Sequence, residues 1–368
     1  MLRPDTQKYQ LLELIGISGE FPADQINRLF YSPSYAEKVI TELKADKLIR
    51  THYRDRLRGY RLTKHAKEML LRQNPLRFHS CLTGNTETNH IRSEVSKRIR
   101  LHQKAQTYLT LLHTGIPLYH DEKPPIFSAD DYIASIDRQS LPCFYSSREI
   151  KELGETTTKF KSSRSIGILL APHCVYAVYN TGNGLSKWEH KTEIKMNAFL
   201  QHYLQRMPYA DRPDIRAVMF GNGMETALRL LTSTGGYKRS LFMLDDTFEH
   251  FHFVPSNADG ESLLRLLMNP KMMAALNQLL LSDQESRQGD IPFEHDSVAL
   301  EGVPTLLAYD FDMQRICRFN KGLDVYGMSG NLICFDFQIP ILKKYMNSNV
   351  HFSSIDLAKF RKEFFHEP

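Results

Sequence analysis

Apolar positions along the first fifth of the chain fall into short helical stripes. Leu11, Leu12 and Ile15 share a face within residues 5–17, and Ile26, Leu29 and Phe30 repeat the spacing within 23–30. The stretch SPSYAEKVITELKADKL then offers Ser32 and Ser34 as caps and sets Ala36, Val39, Ile40 and Leu43 on one helical face. LIRTHYRD and GYRL read as two strands about a turn at Gly59, and LTKHAKEMLL follows with Ala66, Met69 and Leu70 on one side. The expected order is helix, helix, helix, hairpin, helix. A longer helix is expected from Asn89 to His113, where Ile91, Val95 and Ile99 recur every four residues and Ala105, Leu109 and Leu112 carry the stripe onward. Arg92, Lys97, Arg98, Arg100 and Lys104 decorate its other sides, and the stripe can pack either on its own domain or against a twin in a homodimer. The flanking stretches RFHSCLTGNTET and GIPLYHDEKPPIFS read as connections, which places a boundary near residue 118.

Beyond that boundary the pattern shifts to apolar runs separated by helices. Ile166 to Ala171 and Val175 to Tyr179 read as two strands joined by a short turn, with a helix starting near Thr192. IRAVMFGN and SLFMLDD read as buried strands on either side of a helix around METALRLLTST, and VPTLLAYDF and NLICFDF extend the sheet. The fold class expected is α+β, with a C-terminal mixed α/β domain.

Composition adds little until charge is divided along the chain. The 368 residues are 42% hydrophobic, enough for ordinary cores. No run of 18 apolar residues and no leader-like N-terminus is present, so no membrane partner and a cytoplasmic location are expected. The five cysteines are scattered without a CxxC pair, which gives no zinc or redox motif. Residues 1–115 hold 20 Lys+Arg against 11 Asp+Glu, a balance of +9, whereas the remainder holds 27 against 31, a balance of −4. A front so basic points to a polyanion, and double-stranded DNA is the partner expected.

The charge peaks in RTHYRDRLRGYRL, where Arg50, Arg54, Arg56, Arg58 and Arg61 are opposed only by Asp55. The element order around it resembles the winged helix-turn-helix domain over residues 1–75, with residues 76–118 as a linking basic helix and 119–368 as the second domain. That resemblance implies that the third helix enters the major groove, presenting Ser34, Tyr35, Lys38 and Thr41 beside Glu37 and Glu42. The arginine hairpin would be the wing. Arg54, Arg56 and Arg58, alternating in an extended strand, would face the phosphates together. The plainer alternative is that a charged hairpin tip only keeps a sheet edge solvated.

Taken over most of its length, the chain resembles the replication-relaxation family of plasmids and integrative elements. In that family a winged helix precedes a restriction-endonuclease-like domain. The family's nuclease-like part reads roughly Arg-Pro-Asp-Gly before one strand and Glu-x-Asp on the next. RSIGILL and AVYNTG match these here, so the three acids fall on Ile166, Val178 and Asn180. None is a carboxylate, and Mg²⁺ chemistry on a phosphodiester needs such oxygen ligands. A second register uses Glu189 and Lys191 of WEHK, spaced to share one face of a strand, with an aspartate such as Asp245 from another strand. Glu249, His250 and His252 in FEHFHF have metal-ligand chemistry but lack a third ligand nearby, and they read as a partly exposed strand. Asp245–Asp246 and Asp310–Asp312 sit where apolar strands end. The expectation is an inactive nuclease-like domain without metal or cofactor. It implies a DNA-binding accessory protein in replication or mobilisation of a mobile element, docking a replication initiator or relaxase. The alternatives are a metal-dependent nuclease and a winged-helix transcription regulator.

Overall fold

In the computed structural model, residues 3–4, 6–30, 32–127, 141–151, 163–205, 213–238, 240–282, 291–299, 301–347 and 349–366 are described, and they divide into two units, Met1–Lys123 and Pro124–Pro368. No described helix is long and apolar enough to cross a membrane.

The first unit forms because each predicted apolar stripe finds a common core. Thr6 caps α1 (Gln7–Ser18) by accepting from the Tyr9 amide, and α1 buries Leu11, Leu12, Leu14 and Ile15. β1 (Phe21–Pro22) and α2 (Ile26–Phe30) follow, and Ser32 caps α3 (Pro33–Ala45), which buries Ala36, Val39, Ile40 and Leu43 as expected. The hairpin consists of β2 (Ile49–Arg54) and β3 (Leu57–Leu62), and β3 is the centre of a three-stranded sheet of order β1-β3-β2. α4 (Lys64–Gln73), α5 (Pro75–Leu82) and α6 (Val95–His113) complete the unit.

Three expectations are corrected by the structure. The hairpin turn is not at Gly59 but at Asp55–Arg56, because Arg54 pairs with Leu57 and both turn residues have positive φ, 53° and 61°. That is the mirror-image two-residue turn whose twist matches the strands. The helix at the end of the unit starts at Val95 instead of Asn89, and its buried face is not the Ile91–Val95–Ile99 stripe. Val95 and Ile99 are 38% and 40% exposed, whereas Arg98, Leu101, His102, Ala105 and Leu109 are buried. Residues 76–118 are therefore no linker, and the unit ends at Lys123.

The second unit holds two sheets. In the first, β4 (Cys143–Ser146), which α7 (Ser147–Lys151) follows, β5 (Gly167–Leu170) and β6 (Val175–Gly182) pair antiparallel. β7 (Ile215–Gly221) and β8 (Phe251–Pro255) then add in parallel, giving the order β4-β5-β6-β7-β8. α8 (His190–Gln205) and α9 (Met224–Leu231) make the crossovers that parallel neighbours require. The predicted strand SLFMLDD does not form. Its pairing is an isolated bridge from Leu241 to Lys187, and the strand is Phe251–Pro255 instead. α10 (Ala258–Leu267) and α11 (Pro270–Leu281) lead on from β8. The second sheet has β9 (Ser297–Val298) antiparallel at its edge and pairs β10 (Pro304–Leu307), β11 (Gly330–Phe335) and β12 (Val350–Ile355) in parallel. α12 (Met313–Tyr326) and α13 (Ile339–Tyr345) are its crossovers.

Gly59 has a steric role instead of a turn role. A Cβ built there would collide with the Glu20 carboxylate, which lies flat against β3. Gly59→Ala should therefore cost about 2 kcal/mol of unfolding free energy, the usual scale for overpacking a filled core. Chemical denaturation would measure this, and an unchanged midpoint would contradict the close approach.

Candidate nucleic-acid interface

A single carboxylate organises the hairpin from beneath. Glu20, in the bend between α1 and β1, is fully buried, and it accepts from Arg61 Nε at 2.7 Å, Arg98 Nη2 at 2.5 Å and His102 Nε2 at 2.9 Å. Burial pushes its carboxyl up, but the hydrogen bonds from His102, Arg98 and Arg61 outweigh that and hold it down at about 2. Arg98 is itself 0% exposed, and its remaining donors reach hairpin carbonyls: Nη1 to Arg54 at 2.9 Å, and Nη2 to Leu57 at 3.0 Å and His52 at 3.2 Å. The fork geometry of guanidinium makes this possible, because one planar group can bind a carboxylate and several carbonyls together. α6 thus clamps both strands of the hairpin next to its tip.

The arginines of the hairpin are sorted by this clamp. Arg61, expected among the DNA-binding residues, is 3% exposed and ion-paired to Glu20, so it faces the core and is corrected to a structural role. Arg50, Arg54, Arg56 and Arg58 are exposed. They do not alternate along one strand. Arg54 pairs with Leu57 and Arg58 with Tyr53, which puts Arg54 and Arg58 on opposite faces of the ribbon, and Arg56 occupies the turn. Asp55 lies 3.3 Å from Arg54 and partly offsets it. On α3, Ser34, Tyr35, Lys38 and Thr41 are all exposed, although Thr41 donates its hydroxyl to the Glu37 carbonyl at 2.8 Å and Tyr35 leans edge-on against Phe30. Glu42 is ion-paired to Lys8, which leaves Glu37 as the acid on that face.

In the second unit, the positions matched to the family's acids lie in the core. Ile166, Val178 and Asn180 are buried in the β5–β6 hairpin, and Val178 pairs with Gly167. Glu189 and Lys191 are not on a strand. Glu189 precedes α8, its carbonyl accepting from the Thr192 and Glu193 amides, and Lys191 is exposed in the first helical turn. Asp245 accepts from Trp188 Nε1 at 2.7 Å and from His190 Nδ1 at 2.9 Å. The carboxylate nearest in role to the missing acids is one the sequence did not single out. Glu193 is fully buried, accepting from Ser163 Oγ, Tyr179 Oη and the Arg164 amide, and burial raises its carboxyl. All three donors are protein groups, so it is a satisfied structural acid. A regular i, i+4 spacing from Glu189 is its only trace in the sequence.

FEHFHF is also corrected. It is no partly exposed strand, because His252 is 1% exposed and packs against Tyr176, and Asp310 and Asp312 from the start of α12 come up beside it. Burial pushes Asp312 up, but the hydrogen bond from His250 and the nearby His252 hold it well below the usual carboxylate range.

Comparison of the chain with protein-family models, with curated proteins and with solved structures finds no match in any of the three.

Arg56 stands where glycine is the ordinary residue, with φ of 61°. At such a position a Cβ carries strain that glycine would not. Arg56→Gly should raise folding stability by about 1 kcal/mol, the typical cost of left-handed backbone for a residue with a Cβ, while weakening duplex binding. A thermal melt and a binding isotherm on the same sample test this, and unchanged affinity would remove Arg56 from the interface.

Proposed function

We propose that this chain is a duplex-DNA-binding protein of winged-helix type whose second unit serves assembly instead of phosphodiester chemistry. The observation that carries the reading is the clamped hairpin: its exposed cations project from a ribbon that Arg98, itself paired to buried Glu20, holds next to its tip. A backbone fixed in advance loses little entropy when its cations meet phosphates, and each phosphate neutralised releases counterions. Cations on both faces and at the tip suit insertion between two phosphate backbones better than flat apposition to one. Exposed Ser34, Tyr35, Lys38 and Thr41 on α3 would supply the groove-facing side. The resemblance to the replication-relaxation family adds the setting: an accessory role in replication or mobilisation of a plasmid or integrative element, with a replication initiator or relaxase as protein partner.

Arg54→Ala, Arg56→Ala and Arg58→Ala combined should weaken binding to unrelated duplexes about equally and flatten the dependence of log affinity on log salt. Removing the cation from one phosphate should lower that slope by roughly 0.9. Weakening confined to one sequence would mean that the hairpin reads bases, and no weakening would sink the proposal.

The same reading implies that purified protein leaves supercoiled and linear DNA intact in Mg²⁺ or Mn²⁺, since Ile166 and Val178 offer no oxygen ligands and Glu189 and Lys191 lie at a helix start. Nicking that vanishes in Glu189→Ala would restore the nuclease alternative.

A further inference from the structure

Two histidines two residues apart on an extended strand share a face, and that places His250 and His252 on the same side of the chain entering and forming β8. The chain leaving β10 then runs past them. The Phe253 amide donates to the Phe311 carbonyl at 3.1 Å, and the Phe251 amide donates to Asp312 Oδ1 at 3.1 Å. Phe311 has φ of 48°, which turns the backbone so that Asp310 and Asp312 both face the strand. The segment thereby joins the second sheet to the first.

One ring nitrogen of His252 and one oxygen each of Asp310 and Asp312 lie within 4.8 Å of one another, and all three residues are buried. The histidine carries a second, separate sign: its Nε2 is buried without a hydrogen-bond partner, while its Nδ1 lies 3.2 Å from the Asp310 carbonyl. Asp310 keeps 11% side-chain exposure, and its Oδ2 lies 3.7 Å from His252 Nδ1. His250 Nδ1 holds Asp312 Oδ2 at 2.6 Å, fixing that carboxylate from outside.

We propose that His252, Asp310 and Asp312 bind one divalent transition-metal ion, zinc or manganese, with His250 positioning Asp312. Imidazole with two carboxylates suits these ions better than calcium or magnesium, which favour oxygen alone. The ion ties α12 and its sheet to β8. Its ligands are buried, so it serves the fold.

The test uses the full chain, stripped with chelator and titrated with Zn²⁺ and with Mn²⁺ by calorimetry, followed by thermal unfolding. The expected result is one equivalent bound and a Tm several degrees higher with metal. Asp310→Asn and His252→Gln should each lower affinity at least about tenfold, the usual scale for perturbing a metal shell, and should abolish the Tm shift. Asp310→Asn is nearly isosteric and leaves the α12 cap to Asp312, so a variant with an unchanged circular dichroism spectrum keeps the test valid. His190→Gln with Asp246→Asn, at the more exposed cluster His190–Asp245–Asp246, should change nothing. Stripped wild type that stays folded and binds neither ion overturns the proposal. So does binding that survives Asp310→Asn, or that disappears with the His190 and Asp246 changes.

Discussion

The arrangement of the first unit depends on one buried charge. A carboxylate taken out of water is tolerable only if paired and hydrogen-bonded, and Glu20 meets that condition by drawing Arg61 from β3 and Arg98 and His102 from α6 to a single point. The rest follows from geometry. Gly59 must lack a side chain because the carboxylate occupies that space. α6 turns its Arg98 face inward, exposing Val95 and Ile99, because without Arg98 the Glu20 charge would lie buried and under-paired. Arg98, already committed to Glu20, has donors left over, and they take the carbonyls at the hairpin neck. A requirement of electrostatics in the core thus becomes rigidity in the element that carries the exposed cations. Replacing such a network by apolar residues can preserve stability. It would not preserve the clamp, because no apolar side chain bonds three carbonyls on two strands.

Elements governed by apolar periodicity are legible in the sequence, and those governed by charge are not. Ala36, Val39, Ile40 and Leu43 predict α3, its buried face and its serine cap because nothing there competes with the stripe. Arg61 and Arg98 carry the signal of surface residues, since arginine is rarely buried. Their burial is set by Glu20, at sequence separations of 41 and 78 residues, which no local window sees. The turn at Asp55–Arg56 is hidden for a related reason. Glycine is the usual signal for positive φ, and here the glycine answers a steric demand two residues into the strand while an arginine takes the turn. Of the residues expected to face DNA, Arg50, Arg54, Arg56, Arg58 and the four α3 residues are exposed, and Arg61 is withdrawn.

The second unit shows the same division. β6 is recognisable over Val175 to Tyr179, a buried apolar run, whereas its buried end at Asn180 and Thr181 carries no apolar signal. SLFMLDD is similarly apolar yet forms no ladder. Phe242 is buried there among Trp188 and Phe251, so apolar content reports burial and not strand pairing. The real strand, FHFVP, is obscured by its histidine and the one before it, which look like surface residues until Asp310 and Asp312 are brought beside them from about sixty positions away.

The acids of the second unit differ in what already holds them. Absence of carboxylates at Ile166, Val178 and Asn180 argues only against chemistry at that hairpin; it says nothing of the unit's acids in general, which are numerous and in part buried. Glu193, Asp310 and Asp312 each receive hydrogen bonds from protein groups, and Asp312 also caps α12 by accepting from the Gln314 amide. Side chains held that way are ordered before any ligand arrives, which suits stable assembly. Glu193, which accepts three protein hydrogen bonds, is poorly placed to exchange the waters and phosphate oxygens that an in-line displacement requires. The division of net charge follows the same logic. The basic front keeps most hairpin cations at the surface, available to a polyanion, whereas the acidic remainder turns part of its charge inward and uses it to join two sheets.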